Sequence, residues 1–233
     1  MRSISLLFLR SSCLLGLGTA LIVALVGCPP PPPPWVPIYQ TDFESGEPGS
    51  EWSSQRTSVT PIGNRRFLGE FAAETVHLKL EDLPPHTEVE LSFDLYIIRS
   101  WEGNATIDPQ GTVRALGPDI WSLEVVRGPV LLYTTFSNIG YVPEWGRQSY
   151  PEDYPEGDYP ARTGAAENNT LGYLYTFPER RELGTRPMDS VYRMYFTFEH
   201  SESLLWLRFI GAVTEEHPNE SWGLDNVLVR VRW

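Results

Sequence analysis

Apolar and polar residues alternate with a period of two through most of this chain, and no ten-residue window reads as an amphipathic helix. Val89, Leu91, Phe93, Leu95 and Ile97 alternate with Glu88, Glu90, Ser92, Asp94 and Tyr96, the pattern of a strand with one face in a core and one in water. Val76-Leu78-Leu80, Trp121-Leu123-Val125, Met194-Phe196-Phe198 and Val227-Val229-Val231 repeat it. Leu204 to Ile210 is apolar on both faces and suits a central strand covered on both sides. Turn signals separate these runs, among them Leu83-Pro84-Pro85, Arg127-Gly128-Pro129 and the polar stretch from Glu199 to Ser203. The expected fold is all-β, with two antiparallel sheets packed face to face as a β-sandwich.

The amino terminus reads differently. Arg2 and Arg10 precede an apolar run from Leu14 to Val26, thirteen residues long, which suits a signal helix and is short for a bilayer span. Leu25-Val26-Gly27-Cys28 closes that run and opens onto Pro29 to Pro34. This junction resembles the lipobox and tether of a bacterial lipoprotein. The resemblance implies a signal peptide over 1–27, acylation of Cys28, and an extracytoplasmic protein held to a membrane through its amino-terminal lipid. Several acyl chains anchor stably, since each buried methylene adds roughly 0.8 kcal/mol. Pro29 rather than Asp after the cysteine resembles the outer-membrane sorting pattern. The competing account is an ordinary secretory signal with an incidental cysteine. The proline run favours a polyproline II spacer, so residues 28–40 are expected to be anchor and tether, and 41–233 a single sandwich domain.

Composition narrows the partners. The formal charge is −12, and removing the signal, which carries two arginines and no acid, deepens it by two. Nucleic acid is therefore disfavoured, and cations suit the surface. Cys13 and Cys28 both lie in the export region, so the folded part is expected to hold no disulfide. A monomer is expected. Tyr141 to Asn169 breaks the strand rhythm, with Tyr-Pro at 150, 154 and 159 among acidic residues. A loop of this length, at about 141–169, is either functional or disordered, and its aromatic density argues for order.

Thr41-Asp42-Phe43-Glu44 followed by Trp52, and Ser221-Trp222-Gly223-Leu224-Asp225-Asn226-Val227 near the carboxyl end, are similar to bacterial exported jelly-roll modules, both carbohydrate-binding and surface-anchored. The resemblance implies that first and last strands pair and that acidic residues on them hold a structural calcium. Carried across, the candidate ligands are Asp42, Glu44, Asp225 and Asn226. Hard cations take six to eight oxygen ligands and can join distant segments where disulfides are absent. The alternative is that Asp42 and Asp225 only satisfy backbone amides in turns.

Aromatic side chains in polar loops form the other constellation. A pyranose offers C–H groups to an aromatic face while amides and carboxylates bond its hydroxyls. Trp101, Trp145 and Tyr150 are the candidate platform, with Asp119, Asn138 and Gln148 as companions. The bland account makes these aromatics core packing. A jelly-roll glycosidase or polysaccharide lyase needs two carboxylates at a defined separation, and Asp94 and Glu124 are the pair on outward strand positions. His77, His86, His200 and His217 lack zinc-ligand spacing and read as surface residues. Serine-nucleophile and phosphate-loop motifs are missing. The expectation is a non-catalytic, surface-anchored binding lipoprotein for glycan or another envelope component, the alternatives being a structural or protein-interaction module and a jelly-roll enzyme.

Overall fold

A computed structural model describes residues 33–104, 106–107, 113–115, 117–140, 146–177, 181–213 and 219–233. Residues 1–27, expected to form a signal helix, together with Cys28 and Trp145, lie outside the described residues. The strands run β1 (Val36–Thr41), β2 (Thr57–Val59), β3 (Arg66–Phe71), β4 (Thr75–Leu80), β5 (Glu88–Arg99), β6 (Thr106–Ile107), β7 (Val113–Ala115), β8 (Ile120–Val125) and β9 (Val130–Thr135). They continue as β10 (Arg147–Gln148), β11 (Tyr159–Pro160), β12 (Glu167–Asn168), β13 (Leu174–Thr176), β14 (Thr185–Pro187), β15 (Asp189–Glu199), β16 (Leu205–Ala212) and β17 (Glu220–Arg232). Among the described residues the only helical turn is 3₁₀, Arg181–Leu183, and none is a helix long and apolar enough to cross a membrane.

Two antiparallel sheets make the sandwich. The first is ordered β12-β15-β5-β17-β3-β2, with β1 also on β17, and the second β4-β16-β8-β9. Taken in chain order, the eight principal strands cross between sheets so that β3-β17-β5-β15 faces β4-β16-β8-β9, which is the winding of a jelly roll. The expected pairing of first and last strands is present, Val36 opposite Val231 and Thr41 opposite Val227. β1 begins at Val36, and its backbone pairs with β17 along the first sheet.

Inward residues of both sheets meet in one core. Val89, Leu91, Phe93, Leu95 and Ile97 from β5 are buried there, as their alternation predicted. Across the interface stand Trp121 and Phe209, with Phe93 edge-on to Phe209 at 5.5 Å, while Trp222 of β17, beside β5 in the first sheet, meets Trp121 edge-on at 6.0 Å. Fully burying each such side chain stabilises the fold by roughly 1.5–3 kcal/mol. A smaller cluster forms on the outer face of the first sheet, where Leu171 and Tyr173 lie over Phe67, Tyr96, Ile98 and Val191.

β16 departs from expectation. It is central, between β4 and β8, but only its Leu205-Leu207-Phe209 side is buried, while Trp206 stands 37% exposed on the other. The polar Arg208 at the middle of that side is the reason, since nothing covers a guanidinium without a cost. The long loop is ordered over residues 146–169 and straps the outer edge of β9: Tyr154 N donates to Tyr133 O at 2.7 Å, and Tyr133 N donates to Asp153 Oδ1 at 3.1 Å. Ser53 and Glu51 do the same for β4, through Ser53 N to His77 O and Lys79 N to Glu51 O. Neither long edge of the second sheet is left as a template for strand addition.

Candidate functional site

The expected sugar platform divides: Trp101 is internal, whereas Tyr150 is half-buried and lines a surface pocket with Glu152 and Asp153. Trp101 is fully buried and its Nε1 donates to Ser221 O at 2.8 Å. Asp119, fully buried, accepts the backbone N–H of Glu102 and of Gly103. Asn138, also buried, donates from Nδ2 to Ile97 O at 3.0 Å and Arg99 O at 2.9 Å. Buried Gln148 accepts from Ser137 N, Arg162 N and Tyr192 OH, and donates to Tyr150 O and Thr163 O. The Tyr150 ring packs 5.0 Å from Phe136 and 5.2 Å from Tyr192, and burial pushes its hydroxyl pKa up. Trp101, Asp119, Asn138 and Gln148 are buried struts in this structure. The reason is that a buried loop must find partners for backbone groups outside any ladder, and side-chain amides and carboxylates supply them.

The calcium set is also rearranged. Asp42 Oδ1 accepts the N–H of Glu44 two residues on, and Glu44 Oε1 accepts the N–H of Arg66. Asp225 and Asn226 lie at a register shift in β17, where its first half pairs β3 and its second half pairs β1. Asn226 takes φ +51° there, a conformation that Asn tolerates. Its N–H donates to Asp225 Oδ1 and its side-chain amide donates to Asp94 Oδ2 at 2.8 Å. Asp225 Oδ2 accepts from the Tyr96 hydroxyl at 2.7 Å.

Burial, reinforced by the like charges of Asp94 and Glu44, raises the Asp225 pKa to about 6. The folded state then binds this proton more tightly than the unfolded chain, so its contribution makes stability rise as pH falls from about 6 toward the unfolded value near 4. The melting temperature of the parent relative to Asp225→Asn is expected to increase over that window and level off below it. A difference independent of pH would contradict the reading.

Among the described residues, the acidic groups whose ligand atoms lie within 4.8 Å of one another are a different set, Glu102, Asp119 and Glu220. Atoms sharing a Ca²⁺ at about 2.4 Å are at most about 4.8 Å apart, so this trio fits a hard cation geometrically. Asp42, Glu44 and Asp225 are not in such a group.

The proposed acid and base of a hydrolase separate. Asp94 is on β5 in the first sheet and Glu124 on β8 in the second, at outward positions on opposite sides of the sandwich, so they cannot flank one glycosidic bond. Glu124 is paired with Arg208.

The open face of the second sheet offers more to a ligand. Trp206 Nε1 donates to His77 Nδ1 at 3.0 Å, and the two rings lie 5.7 Å apart. That bond fixes the indole while leaving part of its surface in water. Beside it a cleft of about 640 Å³ runs between the β8–β9 turn and the start of β16, lined by Arg127, Glu199, His200, Glu202, Leu204 and Trp206. Tyr133, 42% exposed, lies on the same sheet in β9. Sequence reasoning missed Trp206 because it took β16 as covered on both sides. The signal was present in the alternation of Trp206, Arg208 and Ile210 against Leu205, Leu207 and Phe209.

The histidine reading is corrected too: His86 is buried at 5% exposure, against His200.

No protein-family model matches the chain, and no curated protein matches it. Among solved structures it is similar to dimeric latent PorU from Porphyromonas gingivalis, at 11% identity over 71% of this chain and 11% of that one, with a TM-score of 0.38. It is similar also to the K3 cleaved adhesin domain of Lys-gingipain (Kgp) from Porphyromonas gingivalis W83, at 12% identity over 83% of this chain and 99% of that one, with a TM-score of 0.33. The chain spans about a tenth of the PorU chain it matches.

Proposed function

We propose that this chain is an exported, lipid-anchored, non-catalytic binding module that takes a glycan on the open face of its second sheet, with Trp206 as the stacking ring. The carrying observation is Trp206 itself, part-exposed, pinned through its indole N–H to His77 and lining a cleft that mixes apolar side chains with Arg127, Glu199 and Glu202. An immobilised aromatic face costs little entropy to use, and carboxylates and a guanidinium beside it suit sugar hydroxyls. In this reading acylated Cys28 is the anchor and Pro29 to Pro34 the spacer that holds the module off the lipid. A structural cation is a subsidiary part of this proposal and belongs at Glu102, Asp119 and Glu220.

Glycan-array binding by the lipid-free domain tests the reading. Binding to at least one glycan class is expected, weakened about tenfold or more in Trp206→Ala, in line with the 1–3 kcal/mol carried by a well-used aromatic contact. The melting temperature should change little, because the ring is not part of the core. Absence of glycan binding together with capture of a defined envelope protein would move the assignment to a protein-interaction module. Equal binding by the variant would remove Trp206 from the site.

A further inference from the structure

Two loops meet beside the cleft and are tied by a pair of histidines. The β4–β5 loop carries His86 and the β15–β16 loop begins at His200. His86 Nε2 lies 2.8 Å from His200 Nδ1, with the rings stacked at 5.0 Å and 13°. His86 Nδ1 lies 2.6 Å from Pro84 O. A carbonyl oxygen only accepts, so the His86 hydrogen sits on Nδ1 and its Nε2 is a bare acceptor. His200 must then donate from Nδ1, and its own Nε2 remains the acceptor. Two backbone bonds join the same loops, Leu83 N to Ser203 O at 2.9 Å and His200 N to Thr87 O at 3.1 Å.

We propose that His86 and His200 form a proton-sensitive clasp between the β4–β5 and β15–β16 loops, closed at neutral pH and opened in acid. It goes beyond the ligand reading and holds whatever the neighbouring cleft takes. The geometry sets the order of events. A first proton goes to His200 Nε2, which is outside the inter-ring bond, and leaves the clasp intact. A second has only His86 Nε2 to occupy, where it would point at the His200 Nδ1–H and break the contact.

The surroundings decide how hard the first step is. Burial and the neighbouring His86 ring lower the His200 pKa, while the Leu204 backbone and the Glu202 carboxylate favour the charged form. Glu199 and Ser201 flank the ring along the chain. Glu88, bound to Arg232, faces it from β5, and Arg127 faces it across the cleft from the β8–β9 turn. Phe198 meets the His200 ring edge-on at 6.4 Å. Glu81 and Asp82 are carried on the His86 loop. With the folded pKa of His200 depressed, its contribution to stability is fully present above about pH 6.5 and is lost as pH falls below it.

Long-range ¹H–¹⁵N spectra of the imidazoles, recorded on the lipid-free domain with pH, test the proposal without a variant. The expected result is His86 as the Nδ1–H tautomer at neutral pH, His200 taking the first proton, and a second step that coincides with loss of protection of the Leu83 amide. That loss should be about tenfold after correction for intrinsic exchange, the equivalent of one hydrogen bond. His200→Phe keeps an aromatic ring in the stack but cannot bond, so its Leu83 amide should be poorly protected already at neutral pH. An Nε2–H tautomer at His86, two independent titrations, or Leu83 protection unchanged both in acid and in His200→Phe would overturn the clasp.

Discussion

Trp222→Ala is expected to lower the stability of the sandwich by about 3–5 kcal/mol, enough to leave a domain of ordinary stability largely unfolded. Trp222 is completely buried between the sheets, 5.0 Å from Phe71 and 6.0 Å from Trp121. Its indole N–H also donates to Ala72 O at 2.9 Å. Truncation therefore removes apolar burial, opens a cavity and takes one of two hydrogen bonds from the Ala72 carbonyl, which keeps the Glu74 N–H at 2.8 Å. The surroundings are poorly able to collapse into the gap, because Trp121 and Phe209 are held by their own strands. Gly211 lies directly under the indole, where an added Cβ would meet Trp222 Nε1 at 2.3 Å and Ala72 O at 2.4 Å. Gly211→Ala should consequently destabilise by overpacking, by about 1–3 kcal/mol. Urea denaturation measures both, and a loss below about 1 kcal/mol for Trp222→Ala would show that the two sheets are not packed through this residue.

Asp189→Ala is expected to release the segment around Leu171–Tyr173 from the outer face of the first sheet. The buried carboxylate accepts three consecutive backbone N–H groups, Leu171 at 3.0 Å and Gly172 and Tyr173 at 3.1 Å each. Nothing in the segment's own backbone replaces it, and an unsatisfied buried donor costs roughly 1–3 kcal/mol. With three orphaned at once, leaving the sheet is the cheaper course. The segment then takes Leu171 and Tyr173 off Phe67, Tyr96 and Ile98, while the core between the sheets stays closed. Asp189→Asn keeps one oxygen and should fall between Ala and the parent. Proteolysis confined to residues 167–177, or fast amide exchange there with β5 and β17 still protected, is the expected readout. Uniform protection in the Ala variant would show that packing alone holds the segment.

How far the sequence carried depends on the range of the physics involved. Val89 to Ile97 announced β5 because side-chain direction alternates residue by residue, and that rule is local. The polar loop residues misled for the opposite reason. Asn138 and Gln148 have the composition of a ligand-binding loop, yet their partners are the carbonyls of Ile97 and Arg99 or the backbone of the loop they sit in. An amide bonded to backbone and an amide waiting for a sugar are the same letters. Trp101 and Trp206 were misassigned in opposite senses, since exposure depends on what packs across the strand rather than on the strand's own pattern. The acidic group of Glu102, Asp119 and Glu220 lay beyond reach, because its members come from the ends of β5, β8 and β17.

The chain's own pattern determined that it is a two-sheet β protein and that its first and last strands are strands. Tertiary structure decided which face of β16 meets water, which carboxylates converge, and that His86 and His200 touch. Period-two alternation is written in neighbouring residues, whereas burial, convergence and a shared hydrogen bond exist only after loop closure has brought segments more than a hundred residues apart into contact.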